Sequence, residues 1–153
     1  MKKLSIMLMA ACALGFTACE DDESKAIPQS NPQETIMEAA GLVVAQGAAI
    51  EAGVTILAHP GLITEEDARL AAEKGVYLEI TSKKGHSLTN GHVYKIAKKV
   101  GAEMVLDSDS HSDSDFLSPE YAEAVLAGCG MDEKDIQTVL SNNCKLLDKL
   151  INK

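Results

Sequence analysis

Residues 53–80, GVTILAHPGLITEEDARLAAEKGVYLEI, read as one strand–helix–strand unit. Val54–Ala58 and Val76–Ile80 are apolar runs of strand length. Between them Thr64 suits a helix N-cap, Glu65, Glu66 and Asp67 fill the first turn, and Gly75 closes the end. Two strands joined through a helix lie parallel, and the alternation continues downstream. A helix is predicted over Asn90–Val100, closed by Gly101, then a strand over Glu103–Leu106 and a helix over Ser118–Leu126. Asp132–Leu140 and Asn143–Ile151 each carry an apolar side and predict two terminal helices covering the sheet. Upstream, Thr35–Ala52 is alanine-rich with apolar residues all round and predicts a buried helix. The fold class is therefore α/β, with about three parallel strands and their helices. With no Trp, two Phe and three Tyr in 153 residues, its core has to be built from Ala, Val, Leu and Ile, which suits close helix-on-sheet packing.

Residues 1–18 do not belong to that domain. Met1-Lys2-Lys3 is a basic start and Leu4 to Phe16 an almost unbroken apolar run, the pattern of a secretory signal too short for a permanent span. Thr17-Ala18 before Cys19 resembles a bacterial lipoprotein lipobox, with Phe16 in place of the usual Leu. The resemblance implies lipidation at Cys19 and an exported, membrane-anchored protein, periplasmic or on the cell surface of a Gram-negative bacterium. Residues 19–34, acidic at first and then containing Pro28 and Pro32, read as linker, leaving 35–153 as the folded domain.

Removing residues 1–18, which hold two lysines and no acid, takes the net charge from −9 to −11. So acidic a chain excludes nucleic acid as a partner and favours divalent cations. Cys129 and Cys144 remain beyond the signal and Cys19, and an exported compartment would permit them to pair; no Cys/His spacing suggests a zinc–thiolate site.

Chemistry gathers where the strands finish. In parallel α/β folds the loops after the strand C-termini converge on one face. His59 follows the first strand, Glu79 ends the second, and AEMVLDSDSHS, residues 102–112, runs from the third into Asp109-Ser110-His111. An Asp and a His two residues apart in extended chain point to one side and suit a shared ion. Singly, each has a plainer role: His59 before Pro60 in a turn, Glu79 paired with a lysine, Asp113 or Asp115 capping the next helix. Jointly, imidazole and carboxylate suit Zn, Mn or Fe. The loop Lys83-Lys84-Gly85-His86-Ser87-Leu88-Thr89-Asn90-Gly91-His92 offers lysines and a helix start, either as a solvated loop or as an anion cradle.

Three segments, Ile56–Ile63, Leu78–His92 and Asp107–Ser112, occur in order and resemble the C-terminal half of a PHP-domain metal-dependent phosphoesterase of the histidinol-phosphatase-like group. The resemblance covers about Gly53 to Lys153. It implies a partial, TIM-barrel-like (β/α) barrel and a hydrolase that cleaves a small phosphate monoester with metal-activated water. It further implies His59, Asp109 and His111 as metal ligands, Glu79 behind the ligands or on the substrate side, and Lys84, His86, Asn90 and His92 near the phosphate. The family opens with a His-x-His pair and a later Asp-His, and this sequence has neither; its four histidines are His59, His86, His92 and His111. A partial ligand set and open sheet edges are therefore expected, with self-association into a homo-oligomer as a remedy for the edges. The rival expectation is a non-catalytic metal- or anion-binding surface lipoprotein.

Overall fold

The computed structural model describes residues 45–152. The signal at 1–18, Cys19, the linker at 19–34 and the first part of the helix expected over 35–52 lie outside them. The described chain starts in helix α1 (45–51), followed by β1 (Ile56–Leu57), α2 (Glu65–Lys74), β2 (Tyr77–Thr81), α3 (Asn90–Val100), β3 (Met104–Asp107), α4 (Pro119–Gly128) and α5 (Glu133–Ile151). The three strands form one parallel sheet in the order β1-β2-β3, registered Leu57 against Leu78 and Thr81 against Asp107.

Local chemistry sets the helix bounds. The Thr64 side chain accepts the Asp67 N–H at 3.1 Å, and Gly75 ends α2 at φ 65°. Ser118 accepts the Tyr121 N–H at 3.2 Å, with Pro119 in the first turn of α4, where a missing N–H costs nothing. The core is aliphatic, with Ile50, Leu57, Ala68, Leu78, Ile80, Ala97 and Leu126 fully buried. Helices α2 and α3 pack on each other and on β2, while α5 packs on β3 and α4 on α5.

Two expectations change. The first strand shortens to Ile56–Leu57, because Gly53 precedes it at φ 73° and His59 leaves it at φ 49°. The two terminal helices are one, α5, running unbroken through Ser141-Asn142-Asn143. Those polar residues mark a docking step. Asn142 Nδ2 donates to the Met104 carbonyl at 3.1 Å, and Asn143 accepts the Leu106 N–H at 2.9 Å and donates to its carbonyl at 2.6 Å. Asn143 thus pairs with β3 as a further strand would, so that edge is covered.

Cys129 and Cys144 are free thiols; Cys129 Sγ lies against the Val125 carbonyl at 3.1 Å, and burial pushes its thiol up from the usual range. Among the described residues no helix is long and apolar enough to cross a membrane.

Candidate metal centre

Glu79 lies in the central strand between two fully buried residues and is itself only 2% exposed. A carboxylate there needs partners, because desolvation costs several kcal/mol, on the order of 5, if nothing compensates it. His59 supplies two. Its backbone N–H donates to Glu79 Oε2 at 2.5 Å, and its Nδ1 lies 3.1 Å from the same oxygen. The left-handed backbone at His59 folds the residue back over the strand end so that both contacts form. Glu79 therefore holds the imidazole by its Nδ1–H and leaves Nε2 facing Asp109 Oδ2, 3.5 Å away.

Asp109 reaches that position through a turn. β3 ends at Asp107, whose Oδ1 accepts the N–H groups of Ser108 at 2.5 Å and Asp109 at 2.9 Å, and Asp109 then takes φ 46°. His86 arrives from the β2–α3 loop, where the Lys83 carbonyl accepts the N–H groups of His86 and Ser87, each at 3.1 Å, and Gly85 turns at φ 91°. Its Nδ1 lies 3.1 Å from His59 Nδ1, the rings meeting edge to face at 4.1 Å between centroids.

One ligand atom each from His59, His86 and Asp109 fall within 4.8 Å of one another. Two imidazoles and a carboxylate are a donor set that fits zinc, manganese or iron. The hydrogen bond to Glu79 raises the His59 pKa above its ordinary value against the opposing effect of burial, and the charges of Glu79, Asp109 and Asp107 add to the rise. A proton on Nε2 and a metal there compete for the same lone pair.

His86, expected beside the phosphate, falls in the group that could hold a metal ion. Its signal was positional: it follows the β2 end much as His59 follows the β1 end. His111, expected as a ligand, is outside the group. Its side chain is 65% exposed, with Nδ1 2.6 Å from the Asp109 carbonyl oxygen and 3.9 Å from Asp109 Oδ1. The expectation assumed extended chain, and the left-handed Asp109 breaks the two-residue alternation that would have aligned both side chains.

Asn90 and His92 are fasteners. Buried Asn90 accepts the Thr81 N–H at 3.2 Å and donates to the Thr81 carbonyl at 2.7 Å, clamping the β2 end to the α3 start. His92 Nε2 donates to the Ile63 carbonyl at 2.8 Å, tying α3 to the β1–α2 loop. Lys84 is exposed and makes no hydrogen bond or ion pair among the described residues. Lys83, which the sequence placed with Lys84 in the possible anion cradle, reaches Asp115 Oδ2 at 3.1 Å and His111 Nδ1 at 3.2 Å.

No protein-family model matches the chain, and no solved structure matches it. It is 36% identical over 118 residues to an uncharacterized protein of Methanocaldococcus jannaschii, a match taking in 77% of this chain and 54% of that protein. The chain spans about half the length of that relative.

Proposed function

We propose that the chain is a metal-dependent phosphoesterase of the PHP type that hydrolyses a small phosphate monoester, its β/α layer forming part of a (β/α) barrel. The observation that carries the reading is the convergence of His59, His86 and Asp109 at the C-terminal end of a parallel sheet. These three would hold a divalent ion. When bound, such an ion supplies Lewis acidity toward a phosphoryl oxygen and lowers the pKa of water. The chain's own groups do the rest: Glu79 fixes the His59 tautomer, and the turn at Asp107 sets Asp109 at the mouth of the site. Export with lipidation at Cys19 and self-association complete the proposal.

A second reading is a metal- or anion-binding protein without turnover. It is favoured by the ligand count, since the described residues bring together three donors from one His-His-Asp group. Metal analysis of the purified protein, with hydrolysis of p-nitrophenyl phosphate and histidinol phosphate, separates the two. Bound metal with turnover abolished by His59→Ala supports the phosphoesterase, bound metal without turnover the binding protein, and absence of metal sinks both.

A further inference from the structure

Beside the metal group, one ammonium is held in place by a partner that does not need it. The Lys83 backbone is fixed on both sides: its N–H donates to Thr81 Oγ1 at 3.2 Å, and its carbonyl accepts two N–H groups at the turn that delivers His86. Its side chain is 24% exposed and extends toward the β3 loop, ending 3.1 Å from Asp115 Oδ2 and 3.2 Å from His111 Nδ1. That same nitrogen of His111 lies 2.6 Å from the Asp109 carbonyl, which only accepts, so Nδ1 carries a hydrogen and cannot also accept from Lys83. Among the described residues Asp115 is then the acceptor the ammonium has, and its other protons are open to an incoming anion.

Asp115 is satisfied without Lys83. Its Oδ2 also accepts the His111 N–H at 2.8 Å, the Ser112 N–H at 3.0 Å and the Ser112 hydroxyl at 3.2 Å. Lys83 can leave for an incoming anion while three donors stay on the carboxylate. Lys84, next in the chain, has no such placement among the described residues.

We propose that Lys83 is the side chain that receives the substrate's phosphoryl group at the metal site, with Asp115 keeping its ammonium aimed there until the anion arrives. This rests on the phosphoesterase reading for the identity of the anion. Lys83 acts by charge and direct hydrogen bonding, so its loss weakens phosphate binding and leaves the metal in place.

Titration of the zinc-loaded protein with inorganic phosphate, followed by calorimetry, tests this without requiring turnover. Lys83→Ala should weaken phosphate binding about 10- to 100-fold, the loss expected for a charge-assisted hydrogen bond. Zinc stoichiometry and melting temperature should be unchanged, and Lys83→Arg should restore binding to within a few-fold. Lys84→Ala should lose less than Lys83→Ala, and Lys74→Ala, whose ammonium pairs with Glu51, should lose nothing. If the protein hydrolyses p-nitrophenyl phosphate, Lys83→Ala should raise KM more than it lowers kcat. Parent-like phosphate binding by Lys83→Ala, a larger loss in Lys84→Ala, or no phosphate binding by the parent overturns the assignment. Failure to take up zinc would instead defeat the phosphoesterase reading; the same titration on metal-free protein still decides Lys83.

Discussion

The fold carries two polar clusters, and they differ in whether they hold a permanent cation of their own. At the α3–α5 contact, Tyr94 donates to Asp135 at 2.5 Å, Lys98 donates to Tyr94 at 2.9 Å and pairs with Asp135, and Asp132 lies 3.8 Å from Lys98. That cluster contains its own cation. The pairing holds the Asp135 carboxyl below its usual range and pushes the Lys98 ammonium above its own, as expected of a closed ion pair. The His59–His86–Asp109–Glu79 cluster has two carboxylates and two imidazoles, with no permanently charged cation among the four. Protons on the imidazoles or an added cation would offset it, since the nearby Lys83 ammonium pairs with Asp115. Hydrogen-bond counts would not separate the clusters; the missing positive charge does.

The sharpest break is to remove a ligand from each in turn. Asp109→Ala should lower zinc affinity by more than about 100-fold, measured by chelator competition, because it removes a donor outright. Asp135→Ala should leave zinc affinity unchanged. Glu79→Gln, which keeps the shape but weakens the hold on His59 Nδ1, should cost about 10- to 100-fold in zinc affinity in the same assay. Under the site, Asn90→Ala strands the N–H and carbonyl of Thr81 and should lower unfolding stability by about 2 kcal/mol in urea titration.

Position 109 offers a smaller, sign-reversed test. Its φ of 46° suits glycine better than any residue with a Cβ, so Asp109→Gly should be more stable than Asp109→Ala by about 1 kcal/mol, although both lose the metal. An ordinary surface position would show the opposite order. The smallest effect is at Asp135. Its folded carboxyl titrates below the usual 3.8, so its contribution is present above that pH and fades as pH falls through the lower folded value. Acid unfolding of Asp135→Asn should lack that limb, and salt should flatten it in the parent, since the Lys98 ammonium is exposed.

What the sequence revealed follows locality. The bounds of α2 and α3 were readable because Thr64, Gly75 and Gly101 act on their immediate neighbours. α5 was misread as two helices because Asn142 and Asn143 look like a break. Their amides are spent on β3, a contact 37 or 38 residues away that no local pattern announces. In the site, His59, Glu79 and Asp109 were legible from their places at strand ends. His86 rather than His111 falls in the possible metal group, since backbone turns at Gly85 and Asp109 decide which imidazole approaches His59. Asn90 and His92 look like ligand-binding residues in one dimension and are braces in three.

The asparagine pair on β3 also gives the sheet a direction. The even-numbered residues of that strand turn their backbone outward, and the Met104 carbonyl and both Leu106 groups are already taken by side-chain amides of α5. A neighbouring strand could dock there only by prising off a helix that carries core residues Ile136, Val139 and Leu146. Among the described residues the β3 edge is therefore closed to a further strand, and a two-fold β3-to-β3 ribbon is ruled out while α5 stays docked.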